Sequence, residues 1–192
     1  MLVEPLAITL LVIDAFEQLN IPYLVGGSLA SALHGSARST LDADVVVDLK
    51  TEQVQPLVKL LGKDFYIDGA MILDAIRYQN SFNVLHLATM FKVDVFISKH
   101  RRFDKMQFLR RQLQVIANEP ERKVYVTSAE DIILAKLEWY RLGGEISDRQ
   151  WRDILGVLKV QVGRLDLEYL SEWAAELKVT DLLQRALKES EG

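Results

Sequence analysis

Residues 24–48, LVGGSLASALHGSARSTLDADVVVD, constrain the fold more than any other part of the chain. An apolar run over 21–25 reads as a strand that ends at Gly26 and Gly27, where backbone without a Cβ turns tightly. Ser28 opens a short helix rich in Ala and Leu, with Gly35 as its C-cap. A second strand spans 42–49, and its Val45-Val46-Val47 run predicts a central strand buried on both faces. Side chains alternate along a strand, so Asp42 and Asp44 leave the same face about 7 Å apart. Two such carboxylates repel unless a cation lies between them. Hard oxygen donors with no His or Cys beside them suit Mg²⁺ or Mn²⁺ rather than zinc. The helix begun at Ser28 offers free N–H groups and a dipole that attract phosphate. A phosphate cradle beside a carboxylate metal site points to chemistry on a nucleotide.

The remaining periodicities predict an α+β chain with a mixed α/β sheet. Apolar residues at helical spacing mark a core helix over 5–20, with Pro5 in its first turn. Thr51 is the expected cap of a helix reaching Gly62, 65–67 an edge strand, and 68–78 a helix with Met71, Ile72, Ala75 and Ile76 as its apolar side. Two strands over 81–87 and 92–97 form a hairpin through a tight connection. Asp94 interrupts the second of these between Val93 and Val95, and a carboxylate there is costly unless paired or metal-bound. The basic stretch 99–111 reads either as a solvated amphipathic helix or as a phosphate or RNA contact. Residues 124–126 form the last expected strand. Thr127 and Glu130 have capping-box spacing, and so do Ser147 and Gln150. Everything beyond is helical, which places a boundary between a core domain, 1–127, and a C-terminal helical subdomain, 128–192.

Composition narrows the setting. The chain has 192 residues, 49% of them apolar and 26% charged, as in an ordinary globular protein. A net charge of -4 gives no general attraction to nucleic acid. With no cysteine there is no disulfide framework or thiolate metal site, which suits a reducing cytoplasm. The apolar run over 6–13 has no basic residue before it and reads as neither signal peptide nor membrane span.

Gly26-Gly27-Ser28, Asp42-Ala43-Asp44 and the Asp94 of FKVDVFI together resemble the nucleotidyltransferase fold of the polymerase-beta type. That family carries Gly-Gly or Gly-Ser at a strand-to-helix turn, Asp-x-Asp on the next strand and a third acid on a later one. The chain looks most like the small bacterial branch of minimal nucleotidyltransferases and abortive-infection toxin components, where the segment before the carboxylates often reads Arg-x-Thr, here Arg38-Ser39-Thr40. It departs from antibiotic-modifying and minimal members in that Gly27-Ser28 is followed by Leu29-Ala30-Ser31 rather than an early Arg.

The resemblance implies a Mg²⁺-dependent transfer of a nucleoside monophosphate from an NTP, such as ATP, to an acceptor hydroxyl, with pyrophosphate leaving. Asp42, Asp44 and Asp94 would be both the catalytic residues and the metal ligands. Gly26, Gly27, Ser28, Arg38 and Lys136 would contact the nucleotide. Arg38 equally suits an ion pair with an acid, and Lys136 a salt bridge to Asp153. The acceptor could be a tRNA end, a protein or a small molecule. The alternative is one component of a toxin-antitoxin pair, acting mainly by binding a cognate antitoxin protein.

Overall fold

The structure is a computed structural model that describes residues 4–35, 43–118 and 121–191, so Arg38 and Asp42 lie outside the described residues. In chain order its elements are α1 (Glu4–Gln18), β1 (Tyr23–Val25), α2 (Gly27–His34), β2 (Ala43–Val47), a tight helical turn at Thr51–Gln53, α3 (Val54–Leu61), β3 (Phe65–Tyr66), α4 (Gly69–Tyr78), β4 (Ser81–His86) and β5 (Lys92–Ile97). They continue with α5 (Arg102–Arg110), β6 (Gln112–Asn118), β7 (Glu121–Val126), α6 (Ala129–Leu142), α7 (Asp148–Val160), α8 (Leu167–Glu176) and α9 (Thr180–Ser190). The chain divides into two compact units, one of Met1–Gly26 with Thr40–Val126 and one of Gly27–Ser39 with Thr127–Gly192. The second unit therefore takes in α2 as well as the C-terminal helices.

In the first unit the described strands form one seven-stranded mixed sheet, ordered β3-β4-β5-β2-β1-β7-β6. β2 lies in the middle, antiparallel to β1 and parallel to β5. β3 is an edge strand, and β4 and β5 form the expected hairpin. Period-two alternation decides which side is core. Val45, Val47, Val93 and Val95 are fully buried, while Asp44, Val46, Lys92, Asp94 and Phe96 between them are half-buried. β2 is thus central but not buried on both faces, and its second face carries the carboxylates. Burial, and then the hydrogen bond to Glu17, push the Tyr23 phenol on β1 well above its ordinary range.

Three other expectations change. Asp68, as expected, opens α4, its Oδ1 accepting from the Ala70 and Met71 amides. Thr51, however, caps nothing: it begins the tight turn before α3. The exposed Met71 lies outside the apolar side of α4, which is built on Ile72 and Ala75. A strand, β6, follows α5 and pairs antiparallel with β7. Its apolar Leu113 and Val115 point outward, so no buried face announces it in the sequence.

The second unit is helical, and its caps follow side-chain chemistry. Ser128, not Thr127, caps α6, with its Oγ accepting from the Asp131 amide and donating to the Asp131 carboxylate. Tyr169 on α8 completes that buried cluster by donating to Asp131 Oδ1 at 2.6 Å. Ser147 caps α7, its Oγ accepting from the Gln150 amide, and Asp166 caps α8 by accepting from the Tyr169 amide. Among the described residues no helix is long and apolar enough to cross a membrane.

Candidate active site

In the first unit, parallel pairing sets Asp44 on β2 directly opposite Asp94 on β5. Antiparallel pairing on the other side of β5 sets Asn83 of β4 opposite Asp94. Residues in register on neighbouring strands share a face, so Asn83, Asp94 and Asp44 make a polar row across three strands. The Lys92 ammonium, two residues from Asp94 on the same face, pairs with its carboxylate at 2.8 Å. Asp94 is 18% exposed, so the pair is partly shielded from water. Among the described residues no three His, Cys, Asp or Glu side chains cluster tightly enough for a metal. Asp42, the third carboxylate expected here, lies outside them.

The glycine turn abuts this row through the backbone. The Gly26 N–H donates to the Asp44 carbonyl at 2.9 Å, which fixes the end of β1 beside the start of β2. A Cβ built on Gly26 meets nothing within 4 Å among the described residues, so packing does not require a glycine there. Gly27 is different: its φ of 53° lies in the left-handed region, where glycine carries no Cβ penalty.

In the second unit a separate cavity of about 350 Å³ is lined by Ser28, Ser31 and Ala32 of α2 and by Arg149, Arg152, Asp153 and Gly156 of α7. Arg149 Nη2 reaches to 3.5 Å from Ser28 Oγ. Lys136 of α6 donates to Asp153 Oδ2 at 2.9 Å, and both side chains are about nine-tenths buried. Lys136, expected at the nucleotide, therefore already holds a carboxylate, the partner its sequence context also offered. His34, at the end of α2, is buried with Nε2 2.6 Å from the Thr127 carbonyl, a contact that needs the Nε2–H tautomer or the cation. Sequence reasoning missed Arg149 and Arg152. Their i,i+3 spacing on α7 was the available signal, but nothing local tied them to Ser28.

Against solved structures, the chain is similar to an antigenic nucleotidyltransferase-like protein from Paracoccidioides brasiliensis, with a TM-score of 0.55, 20% identity, and coverage of 94% of this chain and 91% of that one. It is similar to the antibiotic-resistance factor ANT(2'')-Ia, with a TM-score of 0.59, 14% identity, and coverage of 93% and 94%. ANT(2'')-Ia in complex with adenylyl-2''-tobramycin gives a TM-score of 0.60 at 14% identity over 90% and 95%. The chain has the nucleotidyltransferase fold. No protein-family model and no curated protein sequence matches it.

Of the hard oxygen donors a divalent cation takes, the described residues of this sheet face offer two carboxylates, short of a three-ligand cluster. Asp44 and Asp94 present carboxylate oxygens from one face, in register, where like charges oppose each other and a cation offsets the repulsion. The Lys92 ammonium already offsets part of the Asp94 charge.

Proposed function

We propose that this chain is a nucleotidyltransferase that moves a nucleoside monophosphate from an NTP to an acceptor hydroxyl. The observation that carries the reading is the register pairing of Asp44 with Asp94 on the half-buried sheet face, beside the glycine end of β1. Packing alone does not account for two opposed carboxylates in a central sheet.

Asp44 and Asp94, with Asp42 of the same sequence motif, would hold Mg²⁺ or Mn²⁺. Bound there, the cation supplies charge neutralisation for the phosphate oxygens and the acceptor oxygen. Asp94 orients the acceptor hydroxyl and takes its proton. The acceptor oxygen forms a bond to the α-phosphorus as the bond from that phosphorus to the α,β-bridging oxygen breaks, and pyrophosphate leaves. The Gly26 N–H is already given to the Asp44 carbonyl, so the turn would serve the nucleotide through the room left where Gly26 has no Cβ. Positioning and charge compensation do most of the catalysis in such a transfer.

ANT(2'')-Ia in complex with adenylyl-2''-tobramycin makes a small polyhydroxylated molecule the first acceptor class to test. Calorimetry with Mg-ATP should show binding by the wild type and a large loss in Asp44→Asn/Asp94→Asn. Absence of binding, or equal binding by both proteins, overturns the reading. Mass spectrometry of tobramycin incubated with Mg-ATP and the protein then tests the acceptor class through the adenylyl adduct.

A further inference from the structure

The sheet of the first unit has two edges, and the chain treats them differently. One is β3, only two residues long, with Lys63 and Asp64 just before it. Short strands and nearby charges keep the free N–H and C=O groups of an edge from recruiting another strand. The other is β6, which runs for seven residues and, among the described residues, pairs on one side only. Its sequence, QLQVIAN, has no charge and no proline. A bulge at Ile116 is its one blunting device, and residues 112–115 pair regularly with β7 before it.

The side chains of β6 reverse the order expected of a strand that meets only water. Leu113 and Val115 are 55% and 43% exposed, and the exposed Tyr125 of β7 stands opposite Leu113. Gln112 and Gln114 take the other face, opposite the buried Val126 and Val124. Charges beside the edge are already matched within the chain, Lys123 by Glu121 and Arg122 by Asp14. Arg111, at the start of the strand, lies over the Tyr125 ring at 4.5 Å. The edge thus offers backbone hydrogen bonds and apolar side chains with little charge to select an ionic partner. Such an edge fits an uncharged strand with an apolar face, and β6 is itself such a strand.

We propose that β6 pairs antiparallel with β6 of a second copy of this chain, about a two-fold axis through Gln114. The contact is isologous, so each copy supplies the same surface. Leu113 of each copy then stands opposite Val115 of the other, an apolar pair on both sides of the axis. The two Gln114 carboxamides meet at the axis, where each can donate and accept. The Arg111 residues fall at opposite ends of the pairing. Centring the axis on Leu113 instead would set Arg111 against Val115, which is the poorer match. One strand pair is smaller than a standard interface of roughly 1,600 Å², so the dimer is concentration-dependent.

Sedimentation velocity tests this from low micromolar to several hundred micromolar protein. The wild type should pass from the mass of one chain to that of two. Leu113→Lys/Val115→Lys should weaken dimerisation at least about tenfold, since lysine on an edge blocks pairing. Leu73→Lys, which places the same charge on an exposed residue of α4, should dimerise as the wild type does. All of these positions are exposed, and an unchanged Tm at low concentration confirms that the variants fold. A second measurement uses the absence of cysteine from the chain. Directly opposed strand residues have Cα atoms about 4.5–5.5 Å apart, within reach of a disulfide. Oxidised Gln114→Cys should therefore form a covalent dimer, whereas Gln112→Cys, whose two copies lie apart across the axis, should not. A wild type that stays monomeric at several hundred micromolar overturns the proposal. So does a dimer that survives the two lysines or is lost equally in Leu73→Lys, and so does equal crosslinking of the two cysteine variants.

Discussion

Asp44 and Asp94 face each other in register across the β2–β5 pairing, on the side of the sheet that is only half-buried. Directly opposed like charges destabilise a sheet, and Lys92 on Asp94 offsets part of that cost. A sheet that otherwise alternates valines with such regularity keeps this conflict at one place, which is where local rules are expected to give way to function.

Removing the Asp44 charge, which leaves the Lys92–Asp94 pair in place, should therefore stabilise the protein while disabling it. In metal-free buffer Asp44→Asn should raise Tm, corresponding to about 0.5–1 kcal/mol from relieved repulsion. Added Mg²⁺ should raise the Tm of the wild type but not of the variant. Thermal denaturation with and without Mg²⁺ checks both; a lower Tm in the metal-free variant would show that the pair is not in conflict.

Lys92 makes the complementary prediction. Lys92→Met removes the ammonium from Asp94, so the metal-free protein should lose stability, by no more than about 1 kcal/mol because Lys92 is 42% exposed. The Mg²⁺-induced rise in Tm should then be larger than in the wild type, because the metal no longer competes with a built-in cation. Equal Mg²⁺ responses in the two proteins would count against a cation site on Asp94.

Much of this was legible in the sequence because it depends on local pattern. Alternation put Asp44 and Asp94 on strand faces, and the glycines marked the turn before α2. What was not legible depends on pairing and packing. Nothing in the sequence states that β2 and β5 align residue 44 with residue 94, fifty positions apart. β6 was missed because an edge strand with outward Leu113 and Val115 lacks the one-sided burial that reveals a strand. The cap of α6 shifted by one residue because Thr127-Ser128 offers two hydroxyls, and only Ser128 meets Asp131. Arg149 and Arg152 are about 120 residues from Ser28, and the glycine-mediated approach of α7 to α2 is what joins them.

The Lys136–Asp153 pair separates a structural lysine from a nucleotide ligand. Lys136→Met takes the ammonium from a nearly buried carboxylate and should cost about 3 kcal/mol. Lys136→Met/Asp153→Leu should recover most of it, as apolar replacements of buried pairs often do. Chemical denaturation of the single and double variants measures the coupling. With a structural role only, the double variant keeps Mg-ATP affinity; a large loss of affinity in that refolded background assigns Lys136 to the nucleotide.

The glycines of the two units should respond differently to alanine. Gly35→Ala puts a Cβ 3.0 Å from the backbone atoms of Ser31, Gly156 and Val157, which cannot swing away as a side chain would. It should cost about 1–3 kcal/mol by parting α2 from α7, read as a lower Tm in thermal denaturation. Gly26→Ala meets open space among the described residues and should change stability by less than about 0.5 kcal/mol. A fall in Mg-ATP affinity in Gly26→Ala, with Tm unchanged, would show that the ligand uses the room the glycine leaves.

The C-terminal helix gives the second unit a defined pH response. Trp151 Nε1 donates to Glu189 at 2.7 Å, and Arg185 binds the other carboxylate oxygen at 2.8 Å while lying over the Trp151 ring. The indole hydrogen bond first, and the guanidinium second, hold the Glu189 carboxyl below its ordinary value of 4.5. Because the folded value is depressed, the stabilisation is fully present above 4.5 and is lost as pH falls from there through the folded value. Asp181, held down by Arg141, acts in the same direction near the start of α9. Tm should therefore fall with pH in the acid range, and Glu189→Gln, which keeps an acceptor for the indole but cannot titrate, should reduce that slope without abolishing it. The Trp151 component of the fluorescence, obtained by difference with Trp151→Phe, should shift over the same range in the wild type and stay constant in Glu189→Gln. A fluorescence shift that persists in Glu189→Gln would assign the titration to another group.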